Sequence, residues 1–280
     1  GMATDFKITQ PVEFYRKFLE KDVRPDGREL GETRPTILNI GSVSTANGSA
    51  LVKQGNSAVI CGIKAELCKP KTESPHEGFI IPNIDLPALC SPRFKPGPPC
   101  DQAQVYSQLV ADVIQNSKCV NPEDLYNKEV DMSWVLYCDM MCLDYDGNIL
   151  DACILALMAA LKSCKLPTLV LDDDGRLEVD TGKLVPLQVH TYPVATTFAI
   201  FDDRILFVDP NSEEESIATG QITIVTTEDE QICLLHKPGG SAISDDKMQD
   251  ALTRSLIRSR EARTLINNTI DSMSDNSAER

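Results

Sequence analysis

The sequence is poor in positive charge, and this limits the partners it can have. Its 280 residues contain 27 lysines and arginines but 42 aspartates and glutamates, which gives a formal net charge of −15. A protein that binds nucleic acid by itself normally presents a basic face. Any contact of this chain with RNA or DNA is therefore expected to use a small patch, or to occur beside more basic partners.

Long apolar runs and clustered metal-binding residues are also missing. The longest apolar stretch, residues 149–161, is shorter than the roughly 20 residues needed to cross a bilayer, so no membrane contact is predicted. The start of the chain lacks a basic region followed by an apolar one, so no secretory signal is expected. The ten cysteines include no C-x-x-C pair and the three histidines are far apart in sequence. We therefore predict free thiols in a reducing compartment, no metal site and no cofactor.

The hydrophobic pattern divides the chain into two similar halves, each with strands followed by a helix. This predicts an α+β duplication with one continuous core. In chain order, the expected elements are a helix at 10–21, strands at 36–44, 49–54 and 57–67, a long ordered loop at 69–99, a helix at 101–117, a strand at 134–143, a helix at 149–163, strands at 184–190, 194–202, 205–209, 219–227 and 231–236, and a helix at 244–270.

Domain boundaries follow from the same pattern. The two halves are predicted at 31–167 and 184–270. Residues 1–30 form an N-terminal helix and connector, and residues 168–183, with Asp172-Asp173-Asp174, are expected to be a linker. The polar residues 271–280 are predicted to be a disordered tail.

A turn of sequence Asp146-Gly147-Asn148 leads into the helix at 149–163. A strand–turn–helix of this kind often holds a phosphate, because the first amides of a helix are unpaired donors at the positive end of its dipole. Such a site also needs glycines, a hydroxyl and an arginine. The first turn of this helix instead offers Leu150 and the carboxylate Asp151.

Five stretches, taken in order, resemble the RNase PH family of 3′ exoribonucleases. They are RPDGREL, SVSTANGSALVKQGNSAVICGIKAEL, FKPGPP, LDYDGNILDACILALMAALKS and HKPGGS, and the resemblance extends from about residue 11 to 265. Within the family, the pattern is most similar to the exosome ring subunits related to the archaeal non-catalytic partner subunit. The resemblance implies an RNase PH-like α+β fold, internally duplicated, with mixed β-sheets.

The resemblance also implies partners and a location. Subunits of this kind assemble with other RNase PH-like subunits into a six-membered ring around a channel for single-stranded RNA. RNA-binding cap subunits and a hydrolytic exoribonuclease would complete the assembly. The expected location is the nucleus, the nucleolus and the cytoplasm.

Active family members bind phosphate at a turn that resembles Asp-Gly-Gly-Thr-Arg-Thr-Ala. Here Asn148 stands for the second glycine, Leu150 for the arginine and Asp151 for a threonine. The turn has lost a cation and gained a negative charge, so we expect no working phosphate site. We predict instead that Asn148 caps the helix, Leu150 packs, Asp151 complements the helix dipole, and the turn holds only its own helix.

Two carboxylates complete the site of the active members. In VDPNSEEESIATGQITIV the acidic run ends at Glu215, and the second acid falls on Gln221, with no Asp or Glu at 216–227. Glutamine can serve neither as a base nor as an ionised metal ligand. The acidic run itself is predicted to be a solvated helix start capped by Ser212. No catalytic residue is therefore assigned.

Few basic residues are left to meet RNA. Arg93 and Lys95 are the candidate channel contacts, although both could equally be solvated loop residues. The two arginines with which the archaeal partner subunit is thought to hold RNA fall on Gln108 and Asp112. Another basic group is expected to pair with acidic neighbours, within this chain or across the ring: Arg24, Arg28 and Arg34.

Three functions remain open on the sequence. The leading hypothesis is a catalytically inactive exosome ring subunit, a pseudo-enzyme that has lost its phosphate-binding and catalytic charges. The second is a phosphorolytic 3′ exoribonuclease with a composite site shared with a neighbouring subunit. The third is an interaction protein that acts outside the ring, which would be a stable monomer at high dilution.

Overall fold

The computed structural model describes residues 10–97, 100–240 and 242–278. It contains two sheet-and-helix halves, which confirms the predicted α+β class with mixed sheets. The strands are β1 Thr36–Ile40, β2 Gly48–Gln54, β3 Ser57–Cys68, β4 Phe79–Asp85, β5 Tyr126–Asn127, β6 Met132–Asp144, β7 Lys165–Leu171, β8 Leu177–Pro186, β9 Val194–Phe201, β10 Ile205–Val208, β11 Gly220–Thr226 and β12 Ile232–His236. The helices are α1 Pro11–Leu19, α2 Asp101–Ser117, α3 Ile149–Ser163, α4 Ser212–Ile217 and α5 Asp245–Ala278.

The first half is a sheet of order β1-β2-β3-β6-β4, with the short β5 paired to β6. Its strands are antiparallel except β4, which runs parallel to β6 from Phe79 opposite Val135. The Asn-Gly turn before β2 and the Gly-Asn turn before β3 produce the predicted meander. The second half is a sheet of order β10-β9-β11-β12, in which all pairs are antiparallel.

Helix α3 lies in the middle of the main core. Every residue from Ile149 to Leu161 is buried, as expected for a helix that is apolar on all sides. One core cluster joins it to Val52 and Met140 of the first sheet and to Val225 of the second. The amino end of α3, where the candidate site lies, is therefore fixed by both halves.

The N-terminal helix packs against the second half rather than the first. Tyr15 and Leu19 of α1 form a cluster with Phe201 and Phe207 of the second sheet. The connector that follows α1 is thereby brought to the edge strand β10, where the amide of Val208 donates to the carbonyl of Leu30 at 2.9 Å.

The structure corrects two predictions about connecting segments. The predicted loop at 69–99 contains β4, which was missed because Pro82 interrupts its pattern; at the edge of a sheet a proline is tolerated, since its missing N–H need not pair. The predicted linker at 168–183 lies within the hairpin formed by β7 and β8, and the predicted strand at 184–190 is only the end of β8. Its acidic turn resembled a linker because it contains almost no apolar residue.

The tail prediction is also wrong over residues 271–278, because α5 continues to Ala278. No proline or glycine interrupts this part of the chain, so the helix has no local reason to end earlier. At the other end, the amide of Lys247 donates to Ser244 Oγ at 3.3 Å, so Ser244 caps α5. Residues 279–280 of the predicted tail lie outside the described residues.

Candidate active site at the start of α3

The turn Asp146-Gly147-Asn148 joins β6 to α3 and packs against the segment after β10. Gly147 has a φ of +81°, and a Cβ at this position would lie 2.4 Å from the carbonyl oxygen of Pro210. No side chain fits at that distance, so glycine is needed for both its backbone conformation and its small size. The turn and residues 209–215 are thus in direct contact although they are far apart in sequence.

Asn148 does not cap α3 with its side chain, and the prediction that it does is wrong. Its backbone is left-handed, with a φ of 55°. Its Nδ2 donates to Asp151 Oδ2 at 2.9 Å and to Asp209 Oδ1 at 2.7 Å, while its buried Oδ1 has no hydrogen-bond partner among the described residues. Asn148 therefore bridges two buried carboxylates.

Leu150 and Asp151 are both buried in the first turn of α3. Leu150 is 3% exposed and packs in the core, as predicted. Asp151 does more than complement the helix dipole, because it accepts hydrogen bonds from the amide of Thr197 at 2.8 Å and from Thr197 Oγ1 at 2.7 Å. Burial raises the pKa of Asp151 to about 7, although these hydrogen bonds oppose the shift. Asp151 thus ties α3 to β9 in the second half.

Glu215 places a carboxylate at the amino end of α3. Tyr145 donates its hydroxyl to Glu215 Oε1 at 2.6 Å, and the amide nitrogen of Asn148 lies 3.4 Å from Glu215 Oε2. Burial raises the pKa of Glu215. The prediction that the turn holds only its own helix is therefore wrong. It holds an anion that the chain itself provides.

The acidic run starts a helix, as predicted, but Ser212 does not cap it, and only Glu213 of its three glutamates is exposed. The cap of α4 is Asn211, whose Oδ1 accepts from the amide of Glu214 at 2.9 Å, while Glu214 Oε1 accepts from the amide of Asn211 at 3.0 Å. This capping box has a sequence signature, an asparagine followed three residues later by glutamate, which could have identified it. Glu214 is only 1% exposed, so it is a buried residue next to the site.

Arginines of the N-terminal connector hold the acidic segment in place. Arg24 and Arg28 pair with Glu214 Oε1 at 2.6 and 3.0 Å, and Arg34 Nε pairs with Asp209 Oδ2 at 3.0 Å. These contacts confirm that the three arginines pair with acidic neighbours within the chain. Because the arginines and carboxylates are all buried, each charge depends on its partner to compensate for the loss of water.

Arg34 also binds the turn itself. Its Nη1 donates to the carbonyl of Asp146 at 2.7 Å and its Nη2 to the carbonyl of Gly147 at 3.2 Å. Burial alone would raise the pKa of Asp209, but hydrogen bonds from Arg34 and Asn148 outweigh it and lower the pKa to about 2. Sequence reasoning missed Asp209, since nothing in the local pattern indicates that it meets residues more than a hundred positions away.

Two family models match the chain. The model described as 3′ exoribonuclease family, domain 1, matches residues 32–167, and domain 2 of the same family matches residues 191–258. The two matches cover most of the chain and fall on its two halves. The chain belongs to the RNase PH family of 3′ exoribonucleases.

Individual members of the RNase PH family are similar over nearly the whole chain. The sequence is 42% identical over 239 residues to the exosome complex component rrp43 of Schizosaccharomyces pombe, covering 85% of this chain and 88% of that protein. It is 36% identical over 230 residues to the exosome complex component Rrp42 of Methanothermobacter thermautotrophicus, covering 82% and 84%. Among solved structures, a chain of the Archaeoglobus fulgidus exosome with RNA bound to the active site matches with a TM-score of 0.82 and 31% identity, over 94% of this chain and 99% of that one.

The remaining residues predicted at the family site are less closely joined. Gln221 lies in β11 opposite Ala199 and is partly exposed. Among the described residues, no hydrogen bond links it to Glu215. The positions Gln108 and Asp112 bond to each other at 3.0 Å on the exposed side of α2. Hydrogen bonds therefore link Asn148 to Asp151 and to Glu215, whereas within the described residues no side-chain hydrogen bond joins Gln221 to them.

Arg93 is a partly exposed basic residue beside the site. Its Nη1 lies 3.0 Å from the Tyr145 hydroxyl and 3.9 Å from Glu215 Oε1, and its guanidinium stacks 5.3 Å from the Tyr145 ring centroid. Its side chain remains 53% exposed. Lys95 is exposed on the same loop.

Within the described residues, no cluster of side chains has the composition of a metal site, and no helix is long and apolar enough to span a membrane.

Proposed function

We propose that this chain is a non-catalytic ring subunit of an RNA exosome. Its similarity to exosome components extends over most of its length, in a fungus and in archaea. In this role it would form a six-membered ring with other RNase PH-like subunits and shape a channel for single-stranded RNA. It would thereby support 3′-to-5′ RNA processing and decay, with RNA-binding cap subunits and a hydrolytic exoribonuclease as further partners, in the nucleus, nucleolus and cytoplasm.

The observation that carries the inactive assignment is the position of Leu150, which is buried in the core where active members carry the phosphate-binding arginine. A phosphate at the amino end of α3 would have to approach the Glu215 carboxylate, whose Oε2 lies 3.4 Å from the Asn148 amide nitrogen. Two unit charges 4 Å apart repel by about 4 kcal/mol at an effective dielectric of about 20. This repulsion is comparable to the whole free energy of binding a millimolar ligand, which is about −4 kcal/mol.

No cation in the turn offsets this repulsion. Leu150 occupies the position that an arginine holds in active members, and Arg34 is already engaged by Asp209 and by two carbonyl groups. Arg93 approaches Glu215 only from the exposed side and forms a long ion pair with it. The local charges therefore favour the internal carboxylate over an external phosphate.

The acid–base groups support the same assignment. Glu215 is partly buried, and its carboxylate accepts from the Tyr145 hydroxyl and the Asn148 amide. Gln221 carries no ionisable group, so a second acid is missing. A phosphorolytic reaction at this site would thus need both its phosphate cradle and a carboxylate from another subunit.

RNA contact, if this chain makes it, would be made through Arg93 and Lys95. Both are exposed on the loop before α2, and Arg93 stacks on Tyr145 beside the degenerate site. With a net charge of −15, the isolated chain should bind RNA weakly, because phosphate contacts dominate nucleic-acid affinity. We therefore expect RNA binding to appear in the assembled ring.

The test is reconstitution with the other RNase PH-like subunits of the same source, followed by a phosphorolysis assay on single-stranded RNA. The expected result is a stable hetero-oligomer in which the Glu215→Gln and Gln221→Ala variants of this chain leave any phosphorolysis unchanged. Activity that disappears with either variant would instead establish the composite-site exoribonuclease. A wild-type chain that stays monomeric with every partner would refute the ring assignment.

A further inference from the structure

The hairpin of β7 and β8 lacks the neighbours that normally stabilise a sheet. Within the described residues, the two strands pair only with each other. Every residue of β8 except Asp180 is exposed. An isolated two-stranded ribbon is marginally stable in water, and exposed strand edges are ready to pair or pack with another chain.

One face of this hairpin is apolar. The pairs Leu171–Leu177 and Leu169–Val179 lie opposite each other across the two strands, and side chains two residues apart share a face. Leu169 reaches the core and is only 5% exposed, but Leu171, Leu177 and Val179 are 50%, 38% and 44% exposed. The core therefore continues outward as an uncovered apolar stripe, a feature that marks interaction surfaces.

The rim of this stripe is strongly acidic. Between residues 170 and 180 the only basic residue is Arg176, whereas the acidic residues are Asp172, Asp173, Asp174, Glu178 and Asp180. The turn is ordered by Asp172, whose carboxylate accepts from the amides of Asp174 and Arg176 at 3.0 and 2.8 Å. A nucleic acid, an anionic membrane or a second copy of this acidic chain would bring like charges to this rim.

We propose that residues 169–180 form a docking surface for a different protein, one whose facing surface is an apolar patch bordered by lysines and arginines. Resting on the proposed function, the partner is a neighbouring RNase PH-like subunit of the ring. The apolar stripe supplies buried area, and the acidic rim selects a basic partner over a second copy. The partner would thereby cover the apolar stripe that is exposed in the isolated chain.

The test measures binding of the full chain to each of the other RNase PH-like subunits by light scattering and titration calorimetry. The Leu171→Ser/Leu177→Ser variant should raise the dissociation constant for one of these subunits by at least about tenfold, since two partly exposed leucines lose their contact. Ile257→Ser on α5 is the matched control, because Ile257 is likewise 50% exposed, and it should bind like the wild type. All three proteins should share one melting temperature.

A charge variant separates the rim from the stripe. Asp173→Asn/Asp174→Asn should weaken binding several-fold at low salt and little at high salt, because its contribution is screened. Equal binding by the wild type and both hairpin variants would overturn the docking surface while leaving the ring assignment intact. Binding of no subunit by the wild type would refute both. Self-association of the chain through Leu171 and Leu177 would show a second copy to be the occupant and would also overturn the inference.

Discussion

Replacing Glu215 by glutamine should turn the amino end of α3 into an anion site. Glutamine keeps the size of the side chain, and its amide oxygen can still accept from the Tyr145 hydroxyl. What disappears is the charge next to the Asn148 amide. The first amides of α3 would then face an anion without the Glu215 charge, while Arg93 remains close by to approach it.

The size of the effect follows from the distances. An anion bound to the same amides would lie about 4 Å from the Glu215 carboxylate, where repulsion amounts to about 4 kcal/mol at an effective dielectric of about 20. Removing it should strengthen phosphate binding by up to roughly 10³-fold, which moves the dissociation constant from beyond measurement toward the millimolar range. The folded structure should otherwise be unchanged, because glutamate and glutamine side chains have nearly the same shape.

Phosphorus NMR titration of inorganic phosphate measures this directly, with Glu178→Gln on the exposed β8 as the charge-matched control. We expect binding by Glu215→Gln alone. Since burial raises the pKa of Glu215, its neutral form is populated at a higher pH than for an ordinary glutamate. Wild-type binding of sulfate, whose charge is constant, should therefore strengthen as the pH falls, whereas the variant should show a weaker trend, set by Asp151 with its pKa of about 7. Equal phosphate affinity for the wild type and Glu215→Gln would refute the reasoning.

Two further predictions concern stability. The pKa of Asp151 rises from 3.8 to about 7 on folding, so the folded chain binds more protons than the unfolded chain between these pH values. The free energy of unfolding should therefore fall by up to about 1.4 kcal/mol per pH unit as the pH rises through this window. Urea denaturation should show a flatter pH dependence for Asp151→Asn. Glu214→Gln leaves the buried guanidinium of Arg24 without its charge partner and should lower the free energy of unfolding by about 3–5 kcal/mol. Its control, Glu230→Gln, breaks the exposed pair with Arg260 and should change that free energy by less than about 1 kcal/mol; equal losses in the two variants would contradict the assigned role of burial.

Elements with a simple local pattern could be predicted from the sequence. Helix α3 is apolar on every side and is bounded by a glycine turn, so both its extent and its burial were correct. The strands β2 and β3 were correct because turn residues separate them. Strand β4 was missed because Pro82 breaks its alternation, and only its position at the edge of the sheet makes that proline acceptable.

The residue types at the site could be predicted from the sequence, but the hydrogen bonds that join its distant segments could not. The losses at Leu150 and Gln221 are visible in the sequence because single residue types decide them. The return of Glu215 to the Asn148 amide depends on a close approach between segments that are 67 residues apart. The pairing of Arg34 with Asp209 spans 175 residues. Contacts of this range arise from the packing of the two halves, for which no local pattern exists.

The residues at the position of the family's phosphate site join the two halves, and this limits how a phosphate site could be built there. Asn148 and Asp151 bond to Asp209 and Thr197 in the second half, so the residues that would face a substrate are structural contacts. Restoring an arginine by Leu150→Arg would place a guanidinium where the side chain is 3% exposed and surrounded by the core.

We therefore expect Leu150→Arg to lower the free energy of unfolding by several kcal/mol, because a buried charge without a designed partner is poorly compensated. It should not bind phosphate, because the Glu215 carboxylate still lies against the Asn148 amide. Thermal denaturation and phosphate titration measure both quantities, and Leu150→Met is the control for a change of shape without charge. A stable Leu150→Arg protein that binds phosphate would mean that the turn can still open to an external anion, and that the internal carboxylate is a replaceable ligand rather than a fixed part of the fold.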